Sequence, residues 1–173
     1  RIGNNSPRYR VGLNLDAAWK GIDFSIFFQG VLKRDWMFDA GDPYFWGAGS
    51  GMWQAACFEE HMDYWTPENT DAYYPKPYFN ETKNQQAQDA YMQKASYLRC
   101  KNIQLGYTLP THITEKAGIS NCRIYLSCDN LFTITGLSSV YDPEVFGSYD
   151  GYGTSGKTYP LQRTISVGVN LNF

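Results

Sequence analysis

The sequence of 173 residues contains no apolar run of the roughly 18 residues that a membrane-spanning helix requires. Charge is also scarce: Asp, Glu, Lys and Arg make up 18% of the chain, the net charge is −2, and lysines and arginines form no cluster. Without a basic patch, the chain offers no surface that would attract a nucleic acid. The sequence therefore predicts neither membrane-spanning helices nor a nucleic-acid partner.

Residues that commonly carry catalysis or hold metals are few. The only two histidines, His61 and His112, fall in separate connecting segments, and no convincing serine–histidine pair accompanies them. Cys57, His61 and Asp63 are close enough in sequence to imitate a metal site. The cysteines have no CxxC spacing; they are Cys57, Cys100, Cys122 and Cys128. We expect no enzyme activity, no cofactor and no metal site.

Aromatic residues, by contrast, are abundant. They make up 17% of the chain, as 14 Tyr, 10 Phe and 5 Trp. An aromatic excess with few charges is typical of membrane barrels, which carry aromatic girdles at both interfaces. Soluble glycan-binding β-sandwiches share the same bias. Composition therefore favours an all-β protein without choosing between these two classes.

Residues 164–173 alternate without exception. Every second residue is large and apolar, and the residues between them are Thr, Ser, Gly and Asn; the apolar set is Ile165, Val167, Val169, Leu171 and Phe173. A period of two predicts a β-strand with one apolar and one polar face. About 10 residues is also the length of a tilted strand that crosses a bilayer.

Four further segments alternate in the same way, and the connections between strands alternate in length. We predict strands at about 9–19, 22–32, 97–109, 122–132 and 161–173. Lys20-Gly21 joins the first two as a tight hairpin turn, and a short segment through Thr111 to Gly118 joins the third and fourth. The other two connections, about 33–95 and 133–160, are long. Long loops on one side of a sheet and short turns on the other are the rule in outer-membrane barrels.

The charges of the predicted strands test the assignment of faces. A charge facing lipid is costly, and the strand charges that alternate opposite the apolar face are predicted to face the lumen: Arg10, Asp16, Asp23, Arg123 and Asp129. By strict alternation Arg99, Lys101 and Arg163 share the apolar face. All three lie at the loop ends of their strands, so we favour a β-bulge that shifts the register there, or simple fraying of the strand, over a position at the outer rim beside lipid phosphates.

These patterns predict an all-β protein: the carboxy-terminal portion, about five antiparallel strands, of a large transmembrane β-barrel with long extracellular loops. The chain opens on a polar stretch without a signal peptide, which we read as the interior of a longer protein. Two alternatives stay open. A secreted glycan-binding β-sandwich would share the alternation and the aromatic loading, and a passive porin-like channel would share the fold.

Several blocks of residues, in order along most of the chain, carry a resemblance to a known family. They are His61–Asn69 with Tyr74-Pro75, then Ser96–Arg99 with Lys101–Pro110, then Arg123–Tyr125, Asp129–Thr133 and Asp142–Glu144, and finally Tyr159–Phe173. In these blocks the chain resembles the SusC-like TonB-dependent outer-membrane transporters. Cys100 and Cys128 depart from the pattern, at positions where small or apolar residues are usual.

The resemblance implies a barrel of about 22 strands with a plugged lumen, in the outer membrane of a Gram-negative, Bacteroidetes-type bacterium. It implies a TonB-dependent nutrient importer that contacts outer-membrane lipid and takes up an oligosaccharide or a peptide. A SusD-like surface lipoprotein would be its partner, and TonB would be engaged through an amino-terminal part that this sequence does not contain. The last strand, with Phe173, resembles the signal that directs barrel assembly.

Aromatic residues of the first long connection are candidates for ligand contact. They lie among Gly47, Gly49 and Gly51, and are Tyr44, Phe45, Trp46 and Trp53. Their rings are suited to stacking on sugars, but we favour packing within the loop or against a partner lipoprotein as their role. Asp142-Pro143-Glu144 offers two carboxylates, which is a poor calcium site, so we expect a turn there.

Overall fold

The computed structural model describes residues 3–50, 56–78, 83–146 and 158–173, which fall into two compact units. The first, here called the strand unit, contains Pro7–Lys33, Ser96–Thr135 and Leu161–Phe173. The second, the loop unit, contains Arg1–Ser6, Arg34–Ala95 and Gly136–Pro160. The two long connections predicted from the sequence thus supply most of the loop unit.

One sheet contains all the strands of the described residues. In chain order they are β1 (Arg10–Trp19), β2 (Ile22–Val31), β3 (Asp35–Trp36), β4 (Gln93–Thr108), β5 (Asn121–Gly136) and β6 (Thr164–Asn172). The hydrogen-bonded order is β1-β2-β4-β5-β6, with the two-residue β3 paired to the first residues of β4. Each long strand therefore lies beside its neighbour in sequence, which confirms the predicted antiparallel arc.

The observed strand ends differ from the predicted ones mainly at the long connections. Strands β4 and β5 each run 16 residues, four more at the loop end than the predicted 97–109 and 122–132. In the described part of the chain, β1 pairs only with β2 and β6 only with β5. Both outer strands thus present unpaired backbone groups, which a sheet in a membrane has to pair with further strands.

The short connections have the geometry that their residues favour. Lys20 and Gly21 both have positive φ, 48° and 84°, the combination that makes a tight two-residue hairpin turn. Between β4 and β5, the single helical turn α1 (Thr111–Thr114) runs into a 3-10 turn that ends at Gly118, where φ is 71°. Of the helices in the described residues, none has the length and apolarity needed to span a membrane.

The apolar face of the strand unit is exposed. Val167 is 74% exposed and Ile165 67% exposed on β6. The same face carries exposed large side chains on the other strands: Leu13, Leu15, Ile22, Leu105, Tyr107, Ile124 and Leu126. An uncovered apolar surface of this extent is unfavourable in water, and hydrocarbon would cover it without cost.

A β-bulge explains why two of the three cations, Arg99 and Lys101, depart from the alternation. The register between β2 and β4 shifts at Phe27/Phe28, so that Phe27 pairs with Asn102 but Phe28 pairs with Cys100. Lys101 is the extra residue, and the shift places Arg99 opposite Gln29, on the polar face. The predicted bulge is confirmed for Arg99 and Lys101. Arg163 precedes β6, so strand alternation does not apply to it.

The loop unit has a hydrophobic core of its own, built largely from aromatic rings. Phe38 stacks on Phe45 and on Tyr141, with ring centroids 4.7 and 4.1 Å apart. Four 3-10 turns and β3 carry the chain around this core; the turns are Gly47–Ser50, Glu59–Met62, Lys83–Gln85 and Asp89–Tyr91. The segment predicted only as an aperiodic connection is therefore a packed structure.

Candidate functional site

A polar network crosses the strand unit on the face opposite the exposed apolar one. Arg123 of β5 forms a bidentate ion pair with Asp23 of β2: Nε donates to Oδ1 at 2.9 Å and Nη2 to Oδ2 at 2.5 Å. Arg123 Nη2 also donates to Gln104 Oε1 at 2.9 Å. Strand β4 lies between the two partners in the sheet, so the side chains pair across an intervening strand.

Glycine makes that pairing possible. Gly106 is the residue of β4 that pairs with Asp23. A Cβ at position 106 would lie 2.5 Å from Asp23 Oδ1 and 2.6 Å from Arg123 Nη2. Only a residue without a side chain leaves the ion pair its space. A second glycine on this face, Gly168, is covered by the ring of Tyr125.

The remaining predicted lumen residues lie on the same sheet with different partners. Asp129 accepts a hydrogen bond from Asn102 Nδ2 at 2.7 Å. Asp16 accepts from the Asn14 amide and pairs with Ser25 across to β2. Arg10 is exposed at the start of β1. Asp23 is thus paired with Arg123, and Asp129 with Asn102. Arg10 and Asp16 belong to neither pair. That this face lines a lumen stays a prediction.

The aromatic ligand candidates occupy different environments in the loop unit. Phe45 is 1% exposed and Trp46 5% exposed, within the aromatic core. Tyr44 is half-buried at its edge, with its ring centroid 6.1 Å from that of Phe58. Trp53 lies outside the described residues. Phe45 is therefore enclosed by neighbouring rings, whereas Trp46 also borders a cavity.

His61 holds two parts of the loop unit together in a fixed tautomer. Its Nδ1 accepts from the Phe58 backbone N–H at 2.9 Å, and its Nε2 lies 3.1 Å from the Phe45 carbonyl oxygen. Because a backbone N–H only donates and a carbonyl only accepts, this network assigns the proton to Nε2 and leaves the ring neutral. Both ring nitrogens are occupied, so His61 has none left for a metal. Across the described ranges, no three His, Cys, Asp or Glu side chains converge as metal ligands.

Asp42 is a buried carboxylate at the centre of the loop unit. Its Oδ1 accepts from the backbone N–H groups of Tyr44 and Phe45, at 3.0 and 2.8 Å, and from the Tyr141 hydroxyl at 2.8 Å. Its Oδ2 is buried without a hydrogen-bond partner. Burial raises the pKa of Asp42 above its ordinary value despite these hydrogen bonds. Burial beside Asp42 also raises the pKa of Tyr141.

Glu60 ties the two long connections together within the loop unit. Its Oε1 accepts from the backbone N–H and the hydroxyl of Ser139, at 3.1 and 2.6 Å, and its Oε2 accepts from the Ser138 hydroxyl at 2.6 Å. Burial alone would raise the pKa of Glu60, but these hydrogen bonds outweigh it and leave the pKa below its ordinary value. The carboxylate is thus a charged acceptor for three donors of the second connection.

Two Asp-Pro pairs begin turns in the two connections. Asp142 Oδ1 accepts from the Glu144 backbone N–H at 2.9 Å, as Asp42 Oδ1 does from Tyr44. The expectation of a turn at Asp142-Pro143-Glu144 agrees with this contact. The partners of Asp42 and Glu60 could not be predicted from the sequence, although an Asp before a Pro is a known turn signal that could have drawn attention to Asp42.

A cavity of about 290 Å³ opens beside the aromatic core of the loop unit. In the described part of the chain, its walls include Trp46, His61, Tyr64, Tyr74, Pro77 and Tyr78. A second depression of about 340 Å³ shares part of this lining, including Tyr74 and Lys76, and is also lined by Trp65, Gln88 and Tyr91. The sequence did not reveal either one, because their walls come from an aperiodic segment.

Phe173 follows the last residue of β6, and its ring is 87% exposed. The observed exposure places it on the surface of the strand unit. Its role as an assembly signal stays a prediction.

Comparison with known proteins gives relatives over nearly the whole chain. No family model matches the sequence. The chain is 30% identical to TonB-dependent receptor P3 of Formosa agariphila. The alignment is 179 residues long with its gaps, and it covers 99% of this chain and 17% of the relative. It is 27% identical to TonB-dependent receptor P26 of the same organism, covering 99% of the chain and 18% of that relative.

Solved structures of a peptide importer are also similar to this chain. The RagAB peptide importer in its "open-open" state matches with a TM-score of 0.64 and 26% identity, over 97% of this chain and 17% of that one. A second structure of the RagAB peptide transporter matches with a TM-score of 0.65 and 25% identity, over 98% and 18%. The chain therefore spans less than a fifth of the length of the proteins that it matches.

Proposed function

We propose that this chain, which is a segment of a SusC-like TonB-dependent receptor, forms an arc of the barrel wall of an outer-membrane nutrient importer. The bacterium would be Gram-negative and of the Bacteroidetes type. The arc separates lipid from a polar interior, and its two open edges continue into the strands of the rest of the protein. Transport is driven through TonB, which contacts parts of the protein beyond this segment.

One observation carries the proposal: the five long strands form a single sheet with an exposed apolar face and a networked polar face. The apolar side chains of β6 are exposed, while Asp23, Arg123 and Asp129 are paired on the other side. A β-sandwich would bury its apolar face against a second sheet, and in the described residues all the strands belong to one sheet. A membrane is the environment that suits both faces.

The partner and the ligand follow from the resemblance and from the named relatives. The matched structures are those of a peptide importer, which supports a peptide ligand over an oligosaccharide. A SusD-like surface lipoprotein is the proposed partner on the side of the long connections. The loop unit, which contains the candidate cavity, is the part of this segment that we propose contacts the ligand.

The function is tested in the native bacterium. The full-length gene is deleted and restored, and uptake of labelled peptides and labelled oligosaccharides is measured with and without TonB. We expect peptide uptake that requires both the gene and TonB. Uptake that requires the gene but continues without TonB would indicate a passive channel. Gene-dependent uptake of oligosaccharides alone would replace the proposed ligand class.

A further inference from the structure

The cavity of the loop unit has walls suited to an apolar group. Aromatic rings and prolines dominate its lining, among them Trp46, Tyr64, Tyr74, Pro75 and Pro77. An apolar protein cavity of about 150 Å³ is large enough to bind benzene. At about 290 Å³, this one has room for a single aromatic or large aliphatic side chain.

Two of the polar side chains in the lining, His61 and Gln85, are already engaged; Lys76 and Asn84, which also line the cavity, are shared with the adjoining depression. His61 uses both ring nitrogens, on Phe58 and Phe45. Gln85 uses both ends of its amide: Oε1 accepts from Gly41 N–H and Nε2 donates to the Gly49 carbonyl, each at 2.6 Å. A sugar ring buried against the aromatic walls would find partners for only some of its hydroxyl groups, at a cost for each one left unpaired. An apolar side chain makes no such demand.

The surface of the adjoining depression is mainly polar, whereas that of the cavity is mainly apolar. It shares five lining residues with the cavity: Tyr74, Pro75, Lys76, Tyr78 and Asn84. Gln88 adds a further polar side chain to its lining. A peptide main chain lying in this depression would find hydrogen-bonding groups there, while one of its side chains entered the apolar cavity.

We propose that the loop unit is a recognition site for peptides, in which the cavity beside Trp46 accepts one apolar side chain. The proposal rests on the proposed import function only for the source of the ligand, since binding itself needs no TonB. The site selects peptides by the apolar character of one residue, and the polar depression holds the main chain without regard to sequence.

The test fills the cavity without removing any of its present contacts. Ala48 lines the cavity but is itself exposed, so Ala48→Leu adds volume where the ligand would bind. Ala87→Leu is the matched control, because Ala87 is exposed in the same unit and lines neither the cavity nor the adjoining depression. Calorimetry on the purified full-length protein measures binding of two pentapeptides that differ only in a central phenylalanine or serine, and of a glucose pentasaccharide.

We expect the phenylalanine peptide to bind at least about tenfold tighter than the serine peptide, from the burial of one aromatic side chain. Ala48→Leu should remove that preference, and Ala87→Leu should keep it. Equal binding of the two peptides, a preference that survives Ala48→Leu, or binding of the pentasaccharide alone would each overturn the proposal. If peptide uptake depends on TonB but the phenylalanine peptide does not bind more tightly than the serine peptide, the proposed site is refuted and the import function is not. If the phenylalanine peptide binds more tightly but no peptide uptake depends on the gene, the import function is refuted and the site is not.

Discussion

Asp23 and Arg123 lie 100 residues apart in sequence and form a bidentate ion pair across an intervening strand. The pair is possible because position 106 of that strand is glycine, whose missing side chain leaves room for both groups. Three strands, β2, β4 and β5, are thereby joined by side chains as well as by their backbone ladders.

Gly106→Ala should weaken the folded barrel. The added Cβ would lie 2.5 Å from Asp23 Oδ1, so the ion pair or the strand has to move, at a cost of about 1–3 kcal/mol. Gly12→Ala on β1 is the control, because its Cβ would make only ordinary van der Waals contacts, with the Phe27 ring at 3.5 Å and the Phe28 carbonyl oxygen at 3.9 Å. We expect a lower temperature for loss of the folded, heat-modifiable form of the full-length protein with Gly106→Ala, and little change with Gly12→Ala. Equal effects would contradict the role of position 106.

Glu60→Gln should loosen the second long connection. The amide retains one acceptor oxygen, so of the three donors from Ser138 and Ser139 at least one loses its partner, at a cost of about 1–3 kcal/mol. We expect faster proteolytic cleavage near Ser138 and Ser139 in the full-length protein. Glu59→Gln changes the adjacent, exposed carboxylate and should leave the cleavage rate unchanged; an increase there would show a general effect of charge.

Asp42 should make the loop unit less stable as the pH rises. Its folded pKa is raised above the ordinary value of 3.8 by burial, so above that value the folded state binds more protons than the unfolded state. Stability therefore falls as the pH rises from about 3.8 through the raised folded pKa, and is constant above it. We expect the difference in protease sensitivity between the wild type and Asp42→Asn, measured at each pH, to vary in that window. A difference independent of pH would contradict the assignment.

A charge should be tolerated on one face of β6 and not on the other. Val167 belongs to the exposed apolar face and Ser166 is its neighbour on the polar face. A lysine facing lipid near the bilayer midplane costs about 2–4 kcal/mol. We expect Val167→Lys to lower the amount of full-length protein in the outer membrane, and Ser166→Lys to leave it nearly unchanged. Equal losses would show that neither face is distinguished by lipid.

The strand unit could be predicted from the sequence because its physics is periodic. A strand with lipid on one side and polar groups on the other has to alternate, and the exposed residues of β6 follow the predicted pattern. Arg99 showed where the alternation fails, and the extra residue Lys101 explains the failure. The exact site of that bulge depends on the pairing with Phe27 and Phe28, which the sequence of β4 alone does not specify.

The loop unit could not be predicted in the same way. Its core is formed by contacts such as that between Asp42 and Tyr141, which are distant in sequence and follow no period. Phe45 and Trp46 stood out as aromatic residues among glycines, but whether such rings are buried or face a ligand depends on what packs over them. Glu60 carried no signal at all, because its partners Ser138 and Ser139 belong to the other connection.

We expect the apolar face of the sheet to contact lipid hydrocarbon and the opposite face not to. The most direct measurement places a nitroxide spin label at single positions of β6 in the full-length, membrane-inserted protein and compares its collisions with oxygen and with a water-soluble nickel complex. We predict that oxygen, which concentrates in hydrocarbon, dominates at positions 165, 167 and 169, and that the nickel complex dominates at 166 and 170. The reverse order, or equal accessibility at all five positions, would contradict the account.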